Sequence, residues 1–236
     1  MKSLNKNAVI IFTKYPEEGE VKTRIARTMG KKFASEFYKI CAEHIFAEVL
    51  NIKSKKAALY LFYHERSDKE KIKAWTNSEF HLRVQKGNNI GEKMCNAFKK
   101  VFSELIPSGE EGQQKAVLIG TDLPDISSKI ITDAISALED SDIVIGPSTD
   151  GGYYLIGMKK LYGELFTNIE WSTSTVFEKT LKKIKNLDLN FGVLPELTDI
   201  DTEEDLKTWL NKTSSPKIKP VRAAIESFCL SFQVKA

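Results

Sequence analysis

A short apolar run followed directly by polar residues places the strongest constraint on the fold of this chain. Residues 116–125 read AVLIGTDLPD. Residues 117–119 are all apolar, which is typical of a central parallel strand because both faces of such a strand are buried. Asp122 follows the predicted end of this strand near Gly120, at the edge where open α/β sheets bind ligands. Asp122 could instead cap the helix predicted over residues 127–138, although Ser127 or Ser128 could also cap it, so this segment alone leaves both interpretations open.

Strand-like and helix-like segments alternate through the rest of the chain. Further apolar strands are predicted over residues 8–13, 57–63, 82–85, 142–146 and 155–158. Helices are predicted over residues 31–52, 68–76, 92–105, 176–184 and 221–232, with another that starts after Thr202. This order indicates an α/β fold. A chain of 236 residues can form it as one domain, which we predict over residues 1–212, with a linker and a short helix in residues 213–236.

Composition excludes few classes of function but sets the context. The formal net charge is only +3 and is spread along the chain, which argues against a general nucleic-acid binder. Cys41, Cys95 and Cys229 lie far apart, so we expect core thiols in a reducing compartment. The sequence has no apolar run of membrane-spanning length, and residues 1–7 are too short and polar for a signal peptide. We therefore expect a cytoplasmic protein without a membrane partner.

A loop rich in cations follows the first predicted strand. Lys14, Lys22 and Arg24 lie in this loop together with a proline and a glycine, and α/β proteins often hold phosphates at this place. Neither the dinucleotide fingerprint GxGxxG nor the P-loop pattern GxxxxGK[ST] is present. The alternative is a solvated basic loop that its three glutamates partly neutralise, and the loop taken alone favours that alternative.

A second polar cluster follows the strand predicted over residues 142–146. Asp150 is followed by Gly151 and Gly152, and two glycines leave the peptide groups open to the close approach of a ligand. The same three residues would also make a good hairpin turn. The motif therefore indicates either a binding turn or a simple connection between strands.

An acidic pair precedes the helix that Thr202 is expected to cap. Asp199 and Asp201 are two residues apart, so in an extended segment both carboxylates point the same way. Such a pair makes a site for a hard cation plausible. An acidic loop neutralised by solvent is the alternative.

Five segments taken together, in order, resemble a known family. They are KYPEEGEVKTRIA, IGTDLP, GPSTDGGYYLIG, WSTSTV and DIDTEEDL. Over about residues 8–210 they resemble the glycosyltransferase-A-like family related to nucleotide-diphospho-sugar transferases, whose members mostly lack a defined substrate. More distantly the chain is similar to phospholactate and molybdenum-cofactor guanylyltransferases, and DIDTEEDL resembles the metal-binding segment of sugar-acid cytidylyltransferases.

The resemblance implies a fold and a set of site residues. The fold is a three-layer α/β sandwich with a mostly parallel central sheet. Mg²⁺, or Mn²⁺, would be held between Asp122 and Asp201 with Asp199 nearby. For binding nucleotide phosphates, the candidates are Lys14, Lys22, Thr23, Arg24 and Thr121. The residues themselves, and not the resemblance, suggest Gly151, Gly152, Tyr153 and Trp171 for binding the acceptor, and Asp122, Asp150 and Lys22 for catalysis.

Two departures from the family pattern limit the functional interpretation. The DxD motif of many glycosyltransferases is absent, and so is the clear base-reading glycine loop of the guanylyltransferases. Three hypotheses follow. The first is transfer of a nucleotidyl group from a nucleoside triphosphate to a small phosphorylated acceptor, the second is glycosyl transfer from a nucleotide sugar to a small-molecule acceptor, and the third is a non-catalytic nucleotide-binding module.

Overall fold

A central β-sheet organises the computed structural model, which describes residues 7–52, 57–105, 114–212 and 219–231. Within these residues the sheet has seven strands in the order β3-β2-β1-β4-β6-β5-β7. The strands are β1 (Asn7–Thr13), β2 (Ala57–Tyr63), β3 (His81–Val84), β4 (Lys115–Ile119), β5 (Ile143–Pro147), β6 (Tyr153–Met158) and β7 (Phe191–Val193). All pairings are parallel except those of β6, which runs antiparallel to β4 and β5. The mostly parallel sheet predicted from the sequence is confirmed.

Helices connect most of the strands. They are α1 (Thr23–Met29), α2 (Lys31–Leu50), α3 (Lys69–Trp75), α4 (Ile90–Leu105), α5 (Ser128–Ala137), α6 (Val176–Asn186), α7 (Glu203–Lys212) and α8 (Lys219–Ser231), with a short 3-10 helix at Gly163–Phe166. The backbone N–H of Ile130 donates to Ser127 Oγ at 3.4 Å. Ser127 therefore caps α5, and Asp122 is not needed for that role. None of the helices in the described part of the chain is both long and apolar enough to cross a membrane.

The two faces of the sheet carry separate hydrophobic clusters. Strand β1 alternates, so that Val9 and Ile11 pack with apolar residues of α2 and α5 on one face. Ile10 and Phe12 pack on the opposite face with residues of α4, α6 and the 3-10 helix. Because β1 and β4 are buried on both faces, they carry nearly continuous apolar runs. The helices on both sides of the sheet form the three-layer sandwich that the resemblance implies.

The start of the chain differs from the sequence prediction. Residues 23–29 form helix α1, where the pattern predicts a loop as far as Arg24. Gly30 has φ 91° and separates α1 from α2, a backbone conformation that glycine adopts without strain. At seven residues, α1 is too short for apolar periodicity to reveal it. The predicted connector at residues 107–114 lies almost entirely outside the described residues.

Helix α8 packs against the rest of the chain, although the sequence places it in a tail beyond residue 212. Its Val221, Ile225 and Cys229 are buried in a cluster that also holds Phe33 and Phe37 of α2. Ile225 is only 1% exposed. The described part of the tail therefore contributes to a shared core, while the boundary at residue 212 stays a prediction. The three cysteines are free; Cys41 and Cys229 are buried and Cys95 is partly buried.

Removing the side chain of Ile225 tests whether α8 stabilises the fold. We expect Ile225→Ala to lower the free energy of unfolding by about 3 kcal/mol, because the substitution leaves a cavity in a packed cluster. Leu230→Ala is the matched control, since Leu230 lies on the same helix and is 78% exposed. Urea denaturation measures both variants. Equal stability of the two variants would show that α8 does not contribute to the core.

Candidate active site

A cavity of about 760 Å³ opens at the edge of the sheet where β1 and β4 end. Every residue that the sequence predicts for the site lines this cavity, except Gly151. The lining residues among them are Lys14, Lys22, Thr23, Arg24, Thr121, Asp122, Asp150, Gly152, Tyr153, Trp171, Asp199 and Asp201. The fold thus brings together five segments that are separate in the sequence. Their shared position makes the cavity the candidate active site.

The end of β4 forms the floor of the cavity. A Cβ atom built on Gly120 would meet no atom within 4 Å, so the backbone here is open to the cavity. Asp122 is half-buried. Within the described residues its carboxylate accepts no hydrogen bond and forms no ion pair, and it interacts with Lys22 only through the electrostatic field. The carboxylate of Asp122 therefore remains available to a ligand.

Lys22 lies among three carboxylates. Its Nζ is 3.1 Å from Asp201 Oδ1 and 3.5 Å from Asp199 Oδ1, and its side chain is 3% exposed. Burial alone would lower the pKa of Lys22, but the fields of Asp122, Asp199 and Asp201 outweigh burial and raise that pKa above its usual value. Lys22 therefore stays a charged ammonium at neutral pH.

The backbone at Lys22 is also unusual. Lys22 precedes α1 and has φ 43°, in the left-handed region. A residue other than glycine pays a conformational cost there, and such residues cluster at functional sites. The chain therefore holds Lys22 in a disfavoured conformation that directs its side chain to Asp199 and Asp201.

The acidic pair differs in environment. Asp199 has a side chain that is 17% exposed, and burial raises its pKa to about 6 although Lys22 opposes the change. Asp201 is more accessible, with 40% of its side chain exposed, and Arg24 Nη1 donates to its Oδ2 at 3.4 Å. Both carboxylates of the pair contact the same ammonium.

The cations of the first loop are placed differently from the sequence expectation. Lys22 and Arg24 both reach Asp201, because Lys22 immediately precedes α1 and Arg24 lies in its first turn, where the sequence predicts a loop. Thr23 is the exposed first residue of that helix. Lys14 is exposed, and its ammonium forms no ion pair with any described residue. Of the three cations, Lys14 is therefore the one without a carboxylate partner inside the described chain.

The carboxylates of the cavity meet some of the needs of a divalent metal ion. Among the described residues no group of three or more His, Cys, Asp or Glu side chains is arranged to hold a metal ion. Mg²⁺, however, usually binds one or two carboxylates together with water and substrate phosphates. The unpaired carboxylate of Asp122 and the accessible carboxylate of Asp201 suit that kind of site. The residues present fit a metal shared with a ligand and do not form a preformed metal cage.

The turn at Asp150 is tightly organised. Asp150 Oδ1 accepts hydrogen bonds from Ser148 Oγ at 2.5 Å and from the Gly152 N–H at 2.9 Å. Its Oδ2 has no donor among the described residues. Gly151 has φ 85°, and a Cβ built on it would lie 2.0 Å from the carbonyl oxygen of Ser174. The structure therefore uses Gly151 for close packing behind the turn, while Asp150 and Gly152 face the cavity.

Tyr38 contributes to the site although no sequence motif marks it. Its hydroxyl accepts a hydrogen bond from the Lys14 N–H at 2.9 Å and lies 2.8 Å from Thr121 Oγ1 and 3.1 Å from Thr13 Oγ1. Burial raises the pKa of Tyr38 to about 12, so the hydroxyl stays neutral. It ties the ends of β1 and β4 together beneath the cavity. A tyrosine on the apolar face of α2 is the only sequence signal, and a polar group at a buried position needs such partners.

Solved structures share this fold. A crystal structure from Desulfovibrio desulfuricans G20, of a protein named as a candidate nucleotide-diphospho-sugar transferase, superposes with a TM-score of 0.87 at 28% identity and covers 97% of this chain and 96% of that chain. The 4-diphosphocytidyl-2C-methyl-D-erythritol synthase from Anaerococcus prevotii DSM 20548 superposes with a TM-score of 0.53 at 13% identity, over 86% of this chain and 96% of that chain. The latter likeness concerns the fold alone.

A curated relative and a family model match the sequence directly. The 2-phospho-L-lactate guanylyltransferase of Methanocaldococcus vulcanius is 27% identical over 140 residues, which cover 58% of this chain and 58% of that protein. The model of a family described as an uncharacterized protein conserved in bacteria (DUF2064) matches residues 49–173. That match includes β4, Asp122, the Asp150 turn and Trp171. Because the family match spans more than half of the chain, the protein belongs to the DUF2064 family, and the structural comparison shows that it has the fold of the nucleotide-diphospho-sugar transferases.

Proposed function

We propose that this protein is a metal-dependent transferase that binds a nucleotide substrate in the cavity at the edge of its sheet. One observation carries the proposal. The unpaired carboxylate of Asp122 lies beside a cluster of charged side chains that includes the ion pair of Lys22 and Asp201. Such a cluster suits a phosphate chain bound together with a divalent cation. The transferase names of the relatives support the same class of reaction.

Each residue of the cluster has a separate task in this proposal. Asp122 and Asp201, with Asp199 behind them, would hold Mg²⁺ or Mn²⁺. The metal, when bound, would neutralise charge on the phosphates and polarise the reacting one. Lys14 and Arg24 would bind phosphate oxygens from the solvent side, since both side chains are exposed. Lys22 would add a fixed positive charge from below.

Nucleotidyl transfer is the leading chemistry. A phosphate oxygen of the acceptor attacks the α-phosphorus of a nucleoside triphosphate, the bond to the β-phosphate breaks, and pyrophosphate leaves. An acceptor that is already an anionic phosphate needs no base, so positioning and charge neutralisation supply most of the catalysis. The charged groups of the site suit both the positioning of the substrates and the neutralisation of their charge. The guanylyltransferase relative supports this candidate.

Glycosyl transfer is a second candidate because of the Asp150 turn. Asp150 Oδ1 is held by Ser148 and Gly152 while Oδ2 has no described partner. A carboxylate fixed in this way can serve as a base toward an acceptor hydroxyl. The relative named as a candidate nucleotide-diphospho-sugar transferase supports this alternative.

The substitution Asp122→Asn tests the proposed function. We expect Mg²⁺ with one class of nucleotide to raise the melting temperature of the wild type, and we expect no such rise in Asp122→Asn, because the amide is a poorer metal ligand. Thermal unfolding with each nucleoside triphosphate and each nucleotide sugar is the measurement. Asp133→Asn is the control, since Asp133 lies on α5 outside the cavity. Equal stabilisation of Asp122→Asn and wild type would contradict the metal role.

Removing Arg24 tests the phosphate contacts. Arg24→Ala should weaken binding of the Mg²⁺-nucleotide by about 2 kcal/mol, or roughly thirtyfold, in the range for one lost charge-assisted contact. Lys14→Ala should have a smaller effect. Arg27→Ala is the control, because Arg27 is exposed on the same helix and does not line the cavity. Calorimetry that finds the same affinity for all three variants as for wild type would remove the phosphate site from the proposal.

Removing the carboxylate of Asp150 separates the two chemistries. Asp150→Ala should leave the affinity for Mg²⁺-nucleotide near the wild-type value. If the enzyme transfers a glycosyl group, turnover should fall on the order of 100-fold, since a general base is lost. If it transfers a nucleotidyl group to a phosphate, the KM for the acceptor should rise instead.

Nucleotide affinity, turnover and acceptor KM are therefore measured on this one variant. Ser148→Ala is the companion variant, because it removes one of the two hydrogen bonds that hold Asp150 Oδ1 and keeps the carboxylate. A large drop in nucleotide affinity for Asp150→Ala would show that Asp150 belongs to the metal site.

A further inference from the structure

One part of the cavity lining is apolar. Ile90, Met94, Tyr153 and Trp171 line the cavity, and these four side chains form the apolar wall. Met94, Tyr153 and Trp171 pack with the core on the α4 side of the sheet. Ile90 is 40% exposed, a large exposure for an isoleucine inside a cavity. The wall therefore offers water-accessible apolar surface beside the reacting groups.

Close packing fixes the shape of the wall. A Cβ atom built on Gly91 would lie 2.3 Å from the ring of Trp171, so the indole lies directly against the first turn of α4. The hydroxyl of Tyr153 lies 3.8 Å from Met94 Sδ, and burial raises the pKa of Tyr153, which keeps it neutral. Any side chain larger than glycine at residue 91 would displace Trp171. The apolar wall is thus built into the fold and is not a chance grouping on the surface.

Charge is absent from this face. The charged side chains that line the described cavity come from the segment 14–24, from Asp122, from Asp150 and from Asp199 and Asp201. None comes from α4 or from the segment 171–176, where the polar groups are the hydroxyls of residues 172–174. Phosphates therefore have partners on the Lys22 side, and the part of a substrate that faces α4 meets carbon atoms and hydroxyls.

We infer that the apolar wall holds the carbon skeleton of the acceptor, which is an uncharged and partly apolar group attached to the reacting phosphate or hydroxyl. The inference rests on the proposed function and narrows its substrate class. The wall adjoins the Asp150 turn, since Tyr153 begins β6 directly after Gly152. A nucleobase is the competing occupant of this face, and the experiment distinguishes the two.

A series of n-alkyl phosphates, from ethyl to hexyl, tests the inference. They are titrated by calorimetry into the full chain with Mg²⁺ and the nucleotide that stabilises it. Because the phosphate is constant, its contribution cancels within the series. Affinity should rise about twofold to fourfold with each added methylene that the wall buries. In Ile90→Ser the increase should fall below twofold for each methylene.

Val193→Ser is the matched control, since Val193 is 52% exposed on strand β7 and does not line the cavity; it should keep the wild-type increase. An affinity that does not depend on chain length, or the same increase in Ile90→Ser and wild type, would overturn the inference. If the longer alkyl phosphates displace the nucleotide and the shorter ones do not, the inference is also overturned, because the wall would then hold the base. If no nucleotide binds, the proposed function fails, and the series with Mg²⁺ alone still reports on the wall.

Discussion

A buried ammonium surrounded by carboxylates is the interaction on which the candidate site depends. Lys22 comes from the start of the chain, Asp122 from the end of β4, and Asp199 and Asp201 from the segment before α7. Burying two opposite charges costs nearly as much as their attraction returns, yet removing one partner costs about 3 to 5 kcal/mol because a charge is left uncompensated. The cluster therefore adds little net stability but strongly fixes which segments meet.

Several features of the fold and the site follow from the sequence. The apolar runs of β1 and β4 predict strands buried on both faces, and the polar residues after each run predict a shared edge. The sequence also indicates a serine cap for α5, and the structure shows that Ser127 is that cap. These features are local, since each depends on residues within a few positions of one another. Local patterns of this kind are what sequence periodicity can report.

The features that the sequence does not predict depend on contacts between residues that are far apart in the chain. The ion pair of Lys22 and Asp199 joins positions 177 residues apart, and the contact of Trp171 with Gly91 likewise joins two separate segments. Helix α1 escapes prediction because seven residues are too few to show an apolar period, although its Ile25 is buried in the core. In the sequence, Tyr38 looks like one more residue of the apolar face of α2. Only the structure shows that its hydroxyl lies between β1 and β4. No motif can show what a side chain meets across the fold.

Charge balance connects the site geometry to the proposed metal. Among the described residues that line the cavity, carboxylates outnumber lysine and arginine side chains by five to three, and two of the three cations are already paired with Asp199 or Asp201. A polyphosphate that entered this cavity alone would meet net repulsion. A divalent cation that arrived with the phosphates would bind the carboxylates of Asp122 and Asp201 in the proposed site and would offset the excess negative charge of the lining. The proposed binding of a metal-nucleotide complex therefore depends on this excess of acid, which disfavours a bare anion.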